Sequence, residues 1–248
     1  MTENKNEKQL TLWQLIKEDF SVPRLNDPAL DSNFELFFNY PGIWAIVNYR
    51  ITNRLYNSGW KKISRVLGGI TQTITNIDIH PAATIGRRVF IDHGFGVVIG
   101  ATAILHDDIL IYQCVTLGGV SLNKGKRHPT IESGTVIGAG AKVLGNITVG
   151  KNCKVGANSV VVNDVPINST AVGVPARVIK KKTTSPTLAH DDLPDITQEM
   201  FTYLIKRVAV LEHAVKEKDG IDVSKEDKEL EIIYDNFLCA MKCDKNSK

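Results

Sequence analysis

Residues 131–162 read IESGTVIGAGAKVLGNITVGKNCKVGANSVVV. Ile131, Ile137, Val143, Val149, Val155 and Val161 return every six positions, and Ile167 extends the series. Upstream, Ile79, Ile85, Ile91, Val97, Ala103, Ile109 and Val115 keep the same period. An amphipathic helix repeats at about 3.6 and a two-sided strand at two, so neither accounts for a period of six. A parallel β-helix does: each hexad is one short strand plus a turn, and three hexads close a coil. Equivalent residues then stack one strand spacing apart, about 4.8 Å. A β-sandwich would share the Val, Ile and Gly content but has no reason to hold one phase through so many hexads. The period does not set the hand of the coil, and the usual rule for parallel crossovers favours a right-handed one.

The series breaks once, between Val115 and Ile131, where GGVSLNKGKRHPT carries three glycines and three Lys or Arg side chains. This segment is expected to leave the coil as a projecting loop over 118–130, and long loops in compact domains are commonly functional. The coil itself is expected over 77–180.

Residues 1–76 read as a helical domain. Leu10, Trp13, Leu15 and Ile16 mark a first amphipathic helix, which should end before a loop from Ser21 to Asp31 with Pro23 and Pro28. The apolar run from Phe34 to Leu55 is divided by Tyr40-Pro41-Gly42, and Trp60 to Thr75 supplies the helix that leads into the coil. After Pro175, residues 181–248 read as a linker and C-terminal helices. Phe201, Leu204, Val208, Leu211 and Val215 form a heptad-like stripe there, suited to packing on the body or to contact between protomers.

Composition narrows the function. The 248 residues are 43% hydrophobic, enough for a sizeable interior, and 30 basic against 27 acidic side chains leave a net charge of +3. Nothing in that balance suggests a nucleic-acid partner. The polar start MTENKNEKQL has no apolar signal core and no later run approaches a membrane span, so a cytoplasmic protein is expected. Cys114, Cys153, Cys239 and Cys243 form no CxxC pair and read as reduced, structural thiols.

An interior filled with aliphatics leaves no cavity, so a site must lie on the outside, most naturally in a groove between copies. The polar candidates are Asp78 and His80 in IDIHPAA, Asp92 and His93 in FIDHGFG, and Arg127 and His128 in the loop. Asp78 and His93 are fifteen apart, which puts them on adjacent coils if eighteen residues complete a turn. A carboxylate one rung from an imidazole can fix its tautomer and stabilise its charged form, leaving the other nitrogen to take a proton. His80, His93 and His128 could be imagined as zinc ligands, but they lack a close His pair, and the adjacent Asp and Arg suit an organic anion better. No metal is expected. His106, His190 and His213 have no such company.

DIHPAATIG, IDHGFGVVIG, VTLGGVSLNKGKRHPTI, IGAGAKVLGNITVG and VGVPARVI, in that order, resemble serine O-acetyltransferase, of the hexapeptide-repeat acyltransferase family. The resemblance runs from about Asn26 to Ile179. It implies a left-handed parallel β-helix, a homotrimer or a multiple of one, and active sites between neighbouring prisms. It implies acetyl transfer from acetyl-CoA to L-serine in cysteine biosynthesis, with His93 as catalytic base and Asp78 as its partner. The serine carboxylate would be held by Arg127 and His128, and its ammonium would face Asp92 and Asp27. CoA would lie along the prism against Gly119, Ala139 and Ala157, with Lys154 and Arg177 for its phosphates.

Three departures stand out. The helical part before Asp27 is shorter than in the family's enterobacterial members, where it joins two trimers, and position 101 is Ala where the family commonly has Glu. The chain ends in Lys248 and not isoleucine, which argues against the family's usual docking to cysteine synthase and for an assembly role of the C-terminal helices.

Overall fold

The structure, a computed structural model, describes residues 10–180 and, within a second unit spanning 194–248, positions 201, 203–209 and 211. Those last positions are helical. The expected linker, the end of the heptad-like stripe at Val215, His190, His213, Cys239 and Cys243 lie outside the described residues.

Five helices precede the coil. α1 (Leu12–Ser21) opens on a capping box, in which the Thr11 hydroxyl accepts the Gln14 N–H and the Gln14 side chain accepts the Thr11 N–H at 2.8 Å. The segment expected to be loop from Ser21 holds one further turn, α2 (Pro23–Asn26). A proline at the first helical position gives up no intrahelical bond, so Pro23 starts a helix as readily as it ends one. α3 (Asn33–Phe38) and α4 (Pro41–Asn57) divide the apolar run at the expected Tyr40-Pro41-Gly42. α5 (Lys61–Thr75) stops where Asn76 turns left-handed, φ 56°.

The coil is a prism with three faces. Face 1 holds β1 (Asp78–Ile79), β4 (Val98–Ile99), β7 (Thr116–Gly118), β10 (Lys142–Leu144) and β13 (Val160–Val161). Face 2 holds β2 (Thr84–Ile85), β5 (Ile104–Leu105), β8 (Thr130–Ile131) and β11 (Thr148–Val149). Face 3 holds β3 (Phe90–Ile91), β6 (Leu110–Ile111), β9 (Val136–Ile137), β12 (Lys154–Val155), β14 (Ser169–Gly173) and β15 (Ala176–Lys180). Strands on each face pair in parallel, except that β15 returns antiparallel to β14.

Register corrects the sequence reading in two places. Each hexad sends two side chains inward, two positions apart: a strand residue such as Ile79, Ile85, Ile91, Ile99 or Leu105, and a turn residue such as Ala83, Val89, Val97 or Ala103, all buried. The upstream series slides from the first set to the second after Ile91. The first coil spans twenty residues, Asp78 pairing with Val98 and Phe90 with Leu110, because the corner at 92–97 is two residues longer than a regular one. An insertion equal to the separation of the two inward sets leaves the six-residue pattern unbroken, so periodicity alone cannot detect it. Farther on, Lys154 pairs with Thr170, a coil of sixteen. Shortening by two turns Ile167 outward, 65% exposed, while Val165 and Ala171 take the inward positions.

The first coil is capped by the helices, and the far end is capped on face 3. Tyr49, Arg50 and Asn53 of α4 reach the carbonyls that the first coil leaves unpaired: the Tyr49 hydroxyl donates to Ala83 O at 2.7 Å, Arg50 to Ile85 O at 2.7 Å and Gly86 O at 2.6 Å, and Asn53 to Pro81 O at 2.7 Å. Asp19 of α1 takes the remaining Arg50 donors at 3.1 and 3.2 Å in a buried ion pair. Burial pushes the Asp19 carboxyl up and the Tyr49 phenol up to about 12. Ala45, Ile46 and Tyr49 join the coil's aliphatics in one hydrophobic core, so helices and coil share an interior. At the other end β15 occupies the edge of β14.

Candidate active site

The sequence-derived site residues fall into two clusters on different edges of face 1. The long corner from β3 to β4, on the edge between faces 3 and 1, carries Asp92 and His93. Its two extra residues need tight turns, and the backbone is left-handed at His93 (φ 58°), Gly94 (φ 83°) and Gly96 (φ 75°). His93 thereby projects from the surface, its side chain 71% exposed, with Nε2 4.0 Å from Asp92 Oδ1.

Asp27, at the end of α2, joins this corner from the helical region. Its carboxylate accepts the Ala29 N–H at 2.8 Å and the Tyr40 hydroxyl at 2.6 Å, and these bonds hold its pKa below the usual carboxylate value, with a smaller contribution from the His93 charge. Asp92 behaves oppositely. Burial pushes its carboxyl up, reinforced by the Asp27 charge, against the pull of His93. Burial also raises the Tyr40 and Tyr112 phenols, followed for Tyr40 by its bond to Asp27. The corner therefore sets one carboxylate held ionised beside another that is desolvated, with an exposed imidazole between them and solvent.

The second cluster lies on the edge between faces 1 and 2, where the loop leaves after β7 and returns at β8. Thr102 fixes its root. The Thr102 hydroxyl accepts the N–H groups of Arg127 at 3.0 Å and His128 at 3.2 Å, and lies 2.8 Å from His128 Nδ1, which also accepts the Thr102 N–H at 3.2 Å. That pins His128 as a neutral ring with its proton on Nε2. The ring lies over Gly100, where a Cβ would overlap it. His80 sits beside it, its Nδ1 accepting the Ala82 N–H at 3.0 Å. Burial lowers the pKa of both rings, with Arg65 next for His80 and Arg127 next for His128.

Asp78, on the outward side of β1, lies between the two edges. Its backbone N–H bonds to Val97 O at 2.9 Å and Gly96 N–H to Asn76 O at 2.8 Å, so segments 76–78 and 94–97 run side by side. Among the described residues no hydrogen bond or ion pair joins Asp78 to His93. The charge Asp78 acts on is that of His80. The fifteen-residue spacing assumed an eighteen-residue turn, and the turn in question has twenty.

Below His93 the same edge continues as a column of small residues and backbone: Cys114 N bonds to Phe95 O at 2.8 Å, Gly140 N to Gln113 O at 2.9 Å and Asn158 N to Ala139 O at 2.8 Å. Ala139 and Ala157 therefore stack on adjacent coils of this edge. Gly119 lies on the other edge, where a Cβ would press against Arg127. Lys154 is on face 3, and Arg177 is exposed on β15. A cavity of about 490 Å³ between α2 and face 3, lined by Val22, Leu25, Phe90, Leu110 and Val136, touches none of the sequence-derived site residues. Among the described residues no three His, Cys, Asp or Glu side chains converge as a metal site, because His93 stands on one edge while His80 and His128 share the other.

Tyr40, Thr102, Tyr112 and Gln113 escaped the sequence reading. Tyr40 was visible only as a helix break and Thr102 as one residue of a regular hexad. Gln113, whose buried amide oxygen meets no donor among the described residues, occupies an ordinary corner position.

Comparison with known proteins then supplies relatives. A family model described as bacterial transferase hexapeptide (six repeats) matches residues 128–163. The serine acetyltransferase of Bacillus subtilis (strain 168) is 44% identical over 208 residues, 83% of this chain and 96% of that protein. The crystal structure of the Neisseria gonorrhoeae enzyme in complex with serine superposes with a TM-score of 0.65 at 42% identity, covering 68% of this chain and 69% of the other. A serine acetyltransferase in complex with CoA gives 0.64 at 43% identity, over 68% and 69% of the two chains.

Proposed function

We propose that this chain, which belongs to the serine acetyltransferase family, transfers the acetyl group of acetyl-CoA to the hydroxyl of L-serine, giving O-acetylserine and CoA for cysteine synthesis in the cytoplasm. The reading includes the left-handed coil and a trimer whose sites are shared between chains. Its strongest support is the separation of charges across face 1. Carboxylates that suit an ammonium gather with His93 on one edge, and the guanidinium and imidazoles that suit a carboxylate gather on the other. An amino acid carries both groups a few ångströms apart. One edge of a chain must therefore meet the opposite edge of a neighbour for both to hold the same molecule.

In that cleft Arg127 and His128 take the serine carboxylate, while Asp27 and Asp92 take its ammonium. His93 accepts the hydroxyl proton as the oxygen attacks the thioester carbonyl. The tetrahedral centre collapses with loss of the CoA thiolate, which receives the proton from the imidazolium, so no acyl-enzyme forms. Asp78 serves as partner to the imidazole. Segments 76–78 and 94–97, which carry Asp78 and the residues just after His93, run side by side. CoA lies along the column at Ala139 and Ala157, with Gly119 contributed from the opposite edge and Lys154 and Arg177 as phosphate contacts.

Release of free thiol from acetyl-CoA, measured against a panel of hydroxyl acceptors with wild type and His93→Ala side by side, tests the reading. Wild type is expected to prefer L-serine and the variant to lose transfer. A preference for homoserine, a sugar or another alcohol overturns the acceptor, and an active His93→Ala overturns the base.

A further inference from the structure

Asp27 and Asp92 belong to different parts of the chain, and the start of α4 supplies a contact to each side. α4 begins Pro41-Gly42, and a Cβ on Gly42 would overlap the carbonyl oxygen of Ile91, the residue before Asp92. The start of α4 is thus pressed against the end of β3 with no side chain between. Tyr40 is two residues before that contact. Its ring packs into two apolar clusters, one with Val22, Phe90, Leu110 and Val136 and the other with Leu36, Ile43 and Val47, and its hydroxyl reaches Asp27 Oδ2 at 2.6 Å. Asp27 Oδ1 is meanwhile held by the Ala29 N–H. Each carboxylate oxygen is therefore oriented by one donor, and each keeps lone pairs for a cation.

We propose that Tyr40 is a positioning residue that aims the Asp27 carboxylate at the acceptor's ammonium group, with the Gly42–Ile91 contact setting its height over Asp92. This rests on the acetyl-transfer reading above and adds what decides that the acceptor is an amino acid and not a plain hydroxy acid. The phenol of the half-buried Tyr40 points its proton at the Asp27 carboxylate at 2.6 Å. The bond to Asp27 is strongest when that oxygen is anionic, which is the state an ammonium requires. Rotation of Asp27 away from Asp92 would leave the loop's grip on a carboxylate untouched. Loss of Tyr40 should therefore weaken amino acids selectively.

The test compares wild type, Tyr40→Phe, Asp27→Asn and the double variant, each as the full chain. L-Serine is the acceptor, and 3-hydroxypropionate, which lacks only the ammonium, is the competitive inhibitor. Tyr40→Phe is expected to raise the KM for serine about tenfold, the scale of one hydrogen bond to a charged group. The kcat, the KM for acetyl-CoA and the inhibition constant of 3-hydroxypropionate should stay within about twofold. The double variant should bind serine no worse than Asp27→Asn, because the phenol acts through that carboxylate. Equal weakening of serine and 3-hydroxypropionate, or additive losses in the double variant, overturns the inference while the transferase reading stands. Failure of wild type to acetylate serine overturns the reading and this inference with it.

Discussion

The two edges of face 1 are made from the same repeating backbone and have opposite chemistry. Where the corner is regular, as at 138–141 or 156–159, Gly, Ala, Asn and Ser turn the chain and no charged side chain stands out. Where it is lengthened, by two residues at 92–97 and by eight in the loop coil that pairs Thr116 with Lys142, the exposed His93 ring leaves the prism at one edge and a cationic loop leaves it at the other. The coil supplies rigidity and the insertions supply chemistry. Each insertion carries one half of the charges that the proposed function assigns to an amino acid, and that proposal therefore calls for one edge to meet the other edge of a neighbouring chain.

The sharpest way to break that comparison is to disable one edge per chain. His93→Ala should lower kcat by roughly 100- to 10,000-fold, the usual contribution of a positioned general base. Arg127→Ala should be impaired through serine binding. If the edges meet across chains, co-refolding the two variants in equal amounts should recover roughly a quarter of wild-type activity, because random pairing restores that share of intact clefts. No recovery means that each chain builds its own site.

Next in size is the end cap, which should affect stability and not acceptor choice. Arg50→Ala leaves the buried Asp19 carboxylate and two coil carbonyls unpaired, and should cost about 3–5 kcal/mol in urea unfolding. Leu117→Ala, in the middle of the prism and fully buried, should cost about 2–5 kcal/mol. The serine KM of either variant, measured where it is folded, should match wild type.

Arg127→Lys should be milder. A point charge replaces a planar fork, so the KM for serine should rise about tenfold at nearly constant kcat. The smallest expected effect checks the register. Ile167→Ala should change stability by less than about 0.5 kcal/mol, because the shortened coil turns that side chain outward. A cost near that of Leu117→Ala would return Ile167 to the interior.

Much of this was legible in the chain. The six-residue period gave the coil, and Tyr40-Pro41-Gly42 gave the helix boundary. The contents of the clusters, Asp92 with His93 and Arg127 with His128, were apparent from motifs. Two things were not, for physical reasons. The two-residue insertion is silent because both inward positions of a hexad accept an aliphatic, so Ile91 followed by Val97 looks as regular as Ile85 followed by Ile91. The tertiary donors Tyr40 and Thr102 were hidden because a tyrosine before a proline, or a threonine in a hexad, is ordinary until the chain folds over it. Distribution over the edges could not be read either, since it depends on which corner each motif occupies, and that count shifts with every insertion.

The closure of the prism bears on how long such an object can be. A stack of identical rungs has no intrinsic last rung, and its terminal amides and carbonyls would accept another molecule's first coil as readily as their own continuation. In Tyr49, Arg50 and Asn53 at one end, and on face 3 in the reversed strand β15 at the other, this chain carries stoppers against the addition of a further coil. A chain stoppered in this way is left to associate through its sides, the direction in which the proposed shared site would form.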